Sequence, residues 1–340
     1  MALAVWLLWP PGDEPAIGAT PARAAVVATQ LPLMLLPQAK RVLLLDWTGD
    51  AAAASALSHP LARLDVSAVV PVALEPAGPL ADSRLSVAAE APESVLQRGG
   101  RPYDVIIFEK PPSEHEMRLA ALRLAPGGLV AARTPLGFRD RLLPPALRRA
   151  LRHLPRATVW RSLPGEAVII SSKRPAGEPR SLDALFARAG PAAWLRPLGL
   201  SYPATLLSLE ALGEETARRV AWRPEHAHRA LVNEDDRATA ARRRSLVLDR
   251  YLAQRKAPLK PREYLEILLH PRAPEEEPVF RELLEEWVGR YPRDLRALAF
   301  LYVVEERQGH IDRAAALRQR LTSLRRRRPP IGRQIVLPGR

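Results

Sequence analysis

Glu109 follows directly after an apolar stretch of the chain and is the first candidate for chemistry. Residues 103–108 are rich in β-branched and apolar side chains, which predicts a buried strand. Helical spacing over residues 114–124 and a second apolar run at 129–132 complete a strand–helix–strand unit. Because a parallel unit of this kind places the loop after its first strand at the ligand-binding edge of the sheet, Glu109 is a candidate catalytic residue.

Three other candidates come after predicted strands. Asp46 ends the apolar run RVLLL at residues 41–45, and Gly49 lies in the turn that follows it. Glu90 follows a short predicted strand at 85–88. Asp46, Gly49 and Glu90 thus all follow predicted strands, and open α/β sheets carry their ligand-binding loops after strands.

The elements that must position these residues alternate between strands and helices. Further strands are predicted at 64–70, with a hairpin of strands at 158–162 and 167–171, and further helices at 51–58, 92–97 and 139–153. Residues 24–36 are apolar and are interrupted by Pro32. This pattern predicts an α/β fold with a seven-stranded, Rossmann-like, nucleotide-binding sheet over residues 37–175, preceded by an N-terminal segment at 1–36.

The character of the chain changes after a linker at 173–180. Helices are predicted at 236–254, 261–269, 275–290, 294–308 and 312–324. We divide this all-helical part into an extension at 176–260, a helical-hairpin region at 261–325 and a basic tail at 326–340. The segment ALAFLYVVEERQGHIDRAAAL resembles one tetratricopeptide-type hairpin, and because one such unit cannot bury its own face, we expect it to pack on neighbours or on a protein partner.

Composition limits the classes of partner and site. The chain has 340 residues, 47% of them hydrophobic, a net charge of +14 carried mostly by arginine, and no cysteine, so disulfides and thiolate metal sites are excluded. The positive charge is compatible with an acidic binding partner, and the run Arg325–Arg328 could bind an anionic surface. Binding to nucleic acid is disfavoured because the arginine runs lack interleaved aromatic residues. No metal site is predicted.

The first residues are strongly apolar over 2–9, but this stretch is shorter than a membrane span. It can be an N-terminal strand or packing segment, the remnant of a membrane segment, or a signal sequence. We expect a cytoplasmic protein that does not span the membrane, and leave association with a membrane surface open.

Four segments in matching order resemble the spermidine synthase family. They are VATQLPLMLLPQAKRVLLLDWTGDAAAASALSHP, RPYDVIIFEKPP, the following APGGLV, and LVNEDDR at 231–237. The resemblance covers roughly residues 26–250 and is greatest to bacterial members whose synthase-like domain is attached to membrane helices. It implies a Rossmann-like fold of the class I S-adenosylmethionine-dependent transferase type that binds decarboxylated S-adenosylmethionine and transfers its aminopropyl group to a polyamine.

Residue by residue, the resemblance implies a degenerate nucleoside site. The family's glycine-rich turn corresponds to Asp46-Trp47-Thr48-Gly49-Asp50, where only Gly49 is glycine and Trp47 is bulky. The family's ribose-binding carboxylate corresponds to Ala68, so that contact is lost unless Glu75 reaches back. The acid that accepts from the adenine amine corresponds to Glu90, which keeps its carboxylate.

The same comparison implies a degenerate polyamine site. The family's pair of acids after the fourth strand corresponds to Glu109 and Pro112, with Lys110 between them. A lysine here repels a cationic amine, and the second attractive carboxylate is missing. We therefore expect a non-catalytic accessory or structural subunit; the alternative is an active aminopropyltransferase or methyltransferase with an altered pocket, binding decarboxylated S-adenosylmethionine or S-adenosylmethionine.

Overall fold

The computed structural model describes residues 21–47, 50–68, 82–136, 142–163, 166–174, 182–187, 189–222, 246–255, 258–269 and 277–327. The strands are β1 (Arg41–Leu45), β2 (Arg63–Ser67), β3 (Leu85–Ala88), β4 (Tyr103–Phe108), β5 (Leu124–Pro135), β6 (Arg156–Leu163), β7 (Glu166–Ser172) and β8 (Glu210–Leu212). The helices up to the end of this sheet are α1 (Pro21–Leu35), α2 (Asp50–Leu57), α3 (Pro92–Gln97), α4 (Glu114–Arg123), α5 (Leu143–His153), α6 (Leu182–Ala187), α7 (Ala189–Leu195) and α8 (Pro203–Leu207). The remaining helices are α9 (Glu214–Trp222), α10 (Leu246–Gln254), α11 (Pro261–Leu269), α12 (Glu277–Arg290), α13 (Leu295–Arg307) and α14 (Ile311–Arg327).

The strands form one mostly parallel sheet in the order β3-β2-β1-β4-β5-β7-β6-β8. Strands β1 to β5 are parallel to one another, and β7 runs antiparallel to both β5 and β6. The order of the first seven strands is that of Rossmann-like folds of the class I S-adenosylmethionine-dependent transferase type, so the expected fold class is confirmed. Strands β2 and β3 lie on one side of β1, and β4 and β5 lie on its other side. The chain therefore reverses its direction across the sheet between β1 and β4, and such a switch point is where sheets of this kind bind ligands.

One sequence-based prediction about the elements was wrong. The sheet has an eighth strand, β8, inside the region assigned as helical; it pairs antiparallel with β6 through Leu212 and Glu210. Three residues are too few to show the alternation by which a strand is recognised. Pro32, which interrupts the apolar segment at 24–36, lies inside helix α1. Complete burial of Leu31 and Met34 offsets the loss of the hydrogen bond that a proline removes.

The two faces of the sheet bury separate hydrophobic clusters. Side chains such as Val42 and Ile107 point to one face, where α1 and α2 pack. Alternate side chains such as Leu43 and Phe108 point to the other face, where α4 and α5 pack through Met117 and Leu147. This strict alternation along buried parallel strands explains why they read as continuous apolar runs.

The helices after β8 extend the first of these clusters. Tyr264 of α11 and Trp287 of α12 are fully buried, and their rings stack 5.7 Å apart at 7°. Beside them the buried carboxylate of Glu263 accepts from the Arg255 guanidinium at 2.6 Å and from the backbone N–H of Lys260 at 2.7 Å. Helix α13 begins at the cap Asp294, and α14 packs against it as the second arm of a hairpin.

The start of β5 passes very close to β4. Gly127 adopts φ +83, and a Cβ on Gly128 would lie 2.7 Å from the backbone oxygen of Asp104. The two glycines therefore allow both the left-handed turn and the contact between strands that leads β5 to the carboxyl edge.

Candidate functional site

The ends of β1 and β4 bring two of the predicted site residues to the same edge of the sheet. Asp46 follows β1 and Glu109 follows β4, and these strands are paired in parallel with Leu45 opposite Phe108. The backbone N–H of Glu109 donates to the carbonyl of Leu45 at 3.1 Å. The structure thus places both carboxyl groups beside the switch point of the sheet.

Asp46 has a left-handed backbone, with φ 56, and is the only non-glycine residue with positive φ among the residues that the structure describes. This conformation is one that glycine adopts without strain, and aspartate tolerates it better than most residues. Burial raises the pKa of the Asp46 carboxyl; nearby Lys110 lowers the pKa and nearby Glu116 raises it. The position where the resemblance implies glycine therefore keeps the backbone of a glycine turn but carries a partly desolvated acid.

Trp47 packs inward rather than standing in the solvent. Its side chain is 7% exposed and belongs to the hydrophobic cluster under α1 and α2. Its backbone N–H donates to the carbonyl of Ser67 at 3.0 Å, which ties the turn after β1 to the end of β2. Trp47 thus stabilises the turn. Gly49 lies outside the described residues.

The loop after β4 differs from a polyamine-binding loop in its charges. Glu109 is 5% exposed, whereas Lys110 is exposed, and Pro112 is buried where a second acid was expected. The Glu116 carboxylate, in the first turn of α4, accepts from the backbone N–H of Ser113 at 2.5 Å as part of a capping box. Sequence reasoning did not connect Glu116 with Asp46, because only the packing of α4 brings the two charges close.

Among the described residues, the positions expected to bind the nucleoside hold a single carboxylate, that of Glu90. The Glu90 carboxylate forms an ion pair with Arg98, which follows α3. The Ser67 hydroxyl donates to the backbone carbonyl of Glu90 at 2.5 Å. Ala68, at the expected ribose-binding position, is 1% exposed and its backbone N–H donates to the carbonyl of Ala88. These residues do not match the acceptor set that an adenosine group needs.

Several predicted features lie outside the described residues. They are the apolar stretch at 2–9, Glu75, the segment at 231–237, and Arg328 of the basic run. Within the described ranges, no group of three or more acidic or histidine side chains could hold a metal ion. In the same ranges, no helix has both the length and the apolar composition needed to cross a membrane.

Comparisons with known proteins give partial structural matches only. No family model matches the chain, and no curated protein matches it. Spermidine synthase from Thermotoga maritima matches with 18% identity and a TM-score of 0.42, over 47% of this chain and 62% of that chain. A probable spermidine synthase from Corynebacterium glutamicum matches with 17% identity and a TM-score of 0.40, over 58% of this chain and 77% of that chain.

Methyltransferases also match. Human methyltransferase-like protein 13, solved in complex with SAH, has 17% identity and a TM-score of 0.36, over 52% of this chain and 88% of that chain. This chain spans about three-fifths of the length of the spermidine synthase from Thermotoga maritima. Matches at this identity concern the fold alone.

Proposed function

We propose that this chain is a non-catalytic accessory subunit built on a spermidine synthase-like fold. The observation that carries the proposal is the ion pair between Glu90 and Arg98. The acid that should accept from an adenine amine is already held by a cation of the same chain. The second acid of the site is replaced by buried Ala68.

Nucleoside affinity should be reduced. A hydrogen bond to a charged group contributes about 1.5–3 kcal/mol, so losing the ribose acceptor at Ala68 weakens binding by roughly 10- to 200-fold. Lys110, exposed beside the β4 loop, further disfavours a polyamine. Both effects favour a protein that has kept the scaffold without its substrates.

We propose that a protein partner with an acidic surface binds the C-terminal helices. The proposal is supported by Ile311, whose side chain is 78% exposed at the start of α14, and by the exposed arginines Arg296, Arg307 and Arg318 on α13 and α14. A cytoplasmic location, and contact of Arg325–Arg328 with an anionic surface, belong to the same proposal.

A second candidate function is supported by one observation. Asp46 and Glu109 are carboxyl groups at the ends of adjacent strands, and burial raises the pKa of Asp46. Pairs of acids with different environments are common in active sites. An aminopropyltransferase or methyltransferase with an altered pocket is therefore the alternative.

Calorimetry with S-adenosylmethionine, its decarboxylated form and methylthioadenosine separates the two functions. The accessory function predicts no binding tighter than about 1 mM by any of the three ligands. Binding in the micromolar range that Glu90→Ala weakens would refute it and support the transferase. Glu93→Ala, a nearby exposed acid on α3, is the matched control.

The partner surface is tested by charge reversal. A partner that co-purifies in stoichiometric amounts from the native source should be lost from the double variant Arg296→Glu, Arg318→Glu. Arg219→Glu, a change to an exposed arginine on α9, should retain it. Equal recovery of the partner with the parent protein, the double variant and Arg219→Glu would contradict binding through α13 and α14.

A further inference from the structure

The amino edge of the sheet, where the parallel strands begin, is lined with basic residues. Each described strand that begins at this edge starts with an arginine or follows one within two residues. In the order of the strands across the sheet, these arginines are Arg84, Arg63, Arg41, Arg101, Arg123 and Arg156. Strand β7 runs the other way and ends here, and Lys173 and Arg174 follow it.

The pairing of the strands brings several of these cations to one level. Arg41 lies opposite Arg63 in the register of β1 and β2. One residue further in, Val42, Val105, Leu129 and Ser172 form a single row across β1, β4, β5 and β7. Lys173 therefore lies level with Arg41. Because neighbouring strands are about 4.8 Å apart, the cations from β2 to β7 form a row roughly 19 Å long.

The acidic side chains at this edge are held by hydrogen bonds within the fold. Asp65 of β2 accepts from the hydroxyl of Tyr103 at 2.9 Å, and Asp104 of β4 accepts from the backbone N–H of Lys40 at 2.7 Å. Several exposed cations along the edge form no ion pair with another described residue; they are Lys40, Arg101, Lys173 and Arg174. The surface that faces solvent here is therefore positively charged.

Helix ends account for only part of this pattern. Arg84 donates to the carbonyl of Leu57, the last residue of α2, at 2.9 Å, and Arg123 is the last residue of α4. Such cations complement the partial negative charge of a helix C-terminus. Lys173 and Arg174 follow a strand and have no such role, so the positive charge of the edge exceeds what the helix ends explain.

A loop and a leucine project beside the row. Residues 98–102 are exposed throughout. The Arg123 guanidinium holds this loop, because it donates to the carbonyl of Gly100 at 2.8 Å and lies 5.6 Å from the ring centroid of Tyr103. Leu122, in the last turn of α4, is 73% exposed. A basic edge with an exposed apolar side chain fits a partner that is anionic at its surface and apolar beneath it.

We propose that the amino edge of the sheet docks on an anionic lipid surface. The guanidinium and ammonium groups contact the head groups, and Leu122 enters the apolar boundary below them. Each lysine or arginine near such a surface raises the affinity about fivefold. Nucleic acid fits less well, because Tyr103, the aromatic residue among these cations, is 6% exposed and cannot stack on a base. The proposal uses no residue of α13 or α14 and does not depend on the acidic protein partner.

Vesicle flotation with the full-length protein tests the docking. Vesicles of phosphatidylcholine with a quarter of phosphatidylserine should bind the chain, whereas vesicles of phosphatidylcholine alone should not. Raising the salt concentration from about 0.1 M to about 1 M shortens the screening length from about 10 Å to about 3 Å and should release the protein.

Substitutions of equal charge locate the docking surface. The edge variant should bind phosphatidylserine vesicles roughly 10²-fold more weakly, at about fivefold per residue; it carries Lys40→Gln, Arg101→Gln and Lys173→Gln. The control variant removes three exposed arginines from α13 and α14 and should lose less than about threefold; it carries Arg296→Gln, Arg307→Gln and Arg318→Gln. Leu122→Ser should weaken vesicle binding several-fold and leave binding to polyglutamate unchanged.

A fluorescent label reports which face meets the lipid. Since the chain has no cysteine, a single cysteine can be placed at Gly99→Cys, in the loop 98–102, or at Gly289→Cys, in α12. Both positions have open space for a side chain. A polarity-sensitive label at position 99 should shift to shorter emission wavelength on phosphatidylserine vesicles, and a label at position 289 should not.

The proposal would be overturned if the full chain did not bind phosphatidylserine vesicles, or if the edge and control variants lost equal affinity, since binding would then report net charge alone. An unchanged label at position 99 in the bound protein would also overturn it. Mixed-sequence DNA or polyglutamate that binds more tightly than the vesicles, and is weakened by the edge substitutions, would assign the edge to a soluble polyanion instead. If circular dichroism shows that the edge variant does not fold, the label at position 99 and Leu122→Ser decide.

Discussion

The left-handed backbone of Asp46 provides a direct test of the turn at the candidate site. We compare Asp46→Gly with Asp46→Ala, since both remove the carboxylate and its desolvation and only glycine accepts positive φ without strain. A non-glycine residue in this region costs about 1–2 kcal/mol. Glycine loses about 0.5–1 kcal/mol through the greater entropy of its unfolded chain. Asp46→Gly should therefore be more stable than Asp46→Ala by about 0.5–1 kcal/mol.

The assay is urea unfolding followed by tryptophan fluorescence, with the free energy of unfolding as the readout. The matched control is Ser86, in the middle of β3 and without positive φ, where Ser86→Gly should be less stable than Ser86→Ala by about 0.5–1 kcal/mol. The two positions thus predict opposite signs. If Asp46→Gly were the less stable variant, as at Ser86, the left-handed turn after β1 would be refuted.

The pH dependence at the same residue follows from burial. Because folding raises the pKa of Asp46, the native state binds more protons, and stability falls as pH rises from below 3.8 through the raised pKa. Asp46→Asn does not titrate and tolerates positive φ. The stability of Asp46→Asn relative to the parent should therefore increase over this pH window, and a constant difference would contradict the burial argument.

Two further predictions concern stability. Gly128→Ala should lower the free energy of unfolding in urea by about 1–3 kcal/mol, since the added Cβ meets the backbone of β4. Gly289→Ala, in helix α12 where the added Cβ meets open space, should raise the free energy of unfolding by up to about 1 kcal/mol. Equal effects of the two substitutions would contradict the close approach of β5 to β4. Glu263→Gln should lower the free energy of unfolding by about 2–4 kcal/mol because it leaves the largely buried Arg255 without its charged partner. Glu215→Gln, which breaks the exposed ion pair with Arg219, should change the free energy of unfolding by less than about 0.5 kcal/mol.

Much of the fold could be predicted because the central strands are buried on both faces. Residues 41–45 and 103–108 are continuous apolar runs, and the predicted bounds of both strands agree with the structure. The order of strands and helices along the chain then restricts the topology to a parallel sheet with right-handed crossovers. The same reasoning placed Asp46 and Glu109 at the ends of strands, and their common edge follows from the pairing of β1 with β4.

Contacts between residues far apart in sequence could not be predicted in this way. The three-residue β8 is a strand only because β6 offers it an open edge. The common level of Arg41 and Arg63 at the amino edge depends on the register in which β1 pairs with β2.

The sequence by itself determined which acids the chain possesses and where each stands relative to a strand. Only the tertiary structure decided what those acids do: Glu90 is held by Arg98, Glu116 caps a helix, and Asp46 is partly desolvated in a left-handed turn. The physical reason is that hydropathy periodicity reports the burial of backbone elements. The charge state and availability of a side chain depend on neighbours that only packing brings within a few ångströms.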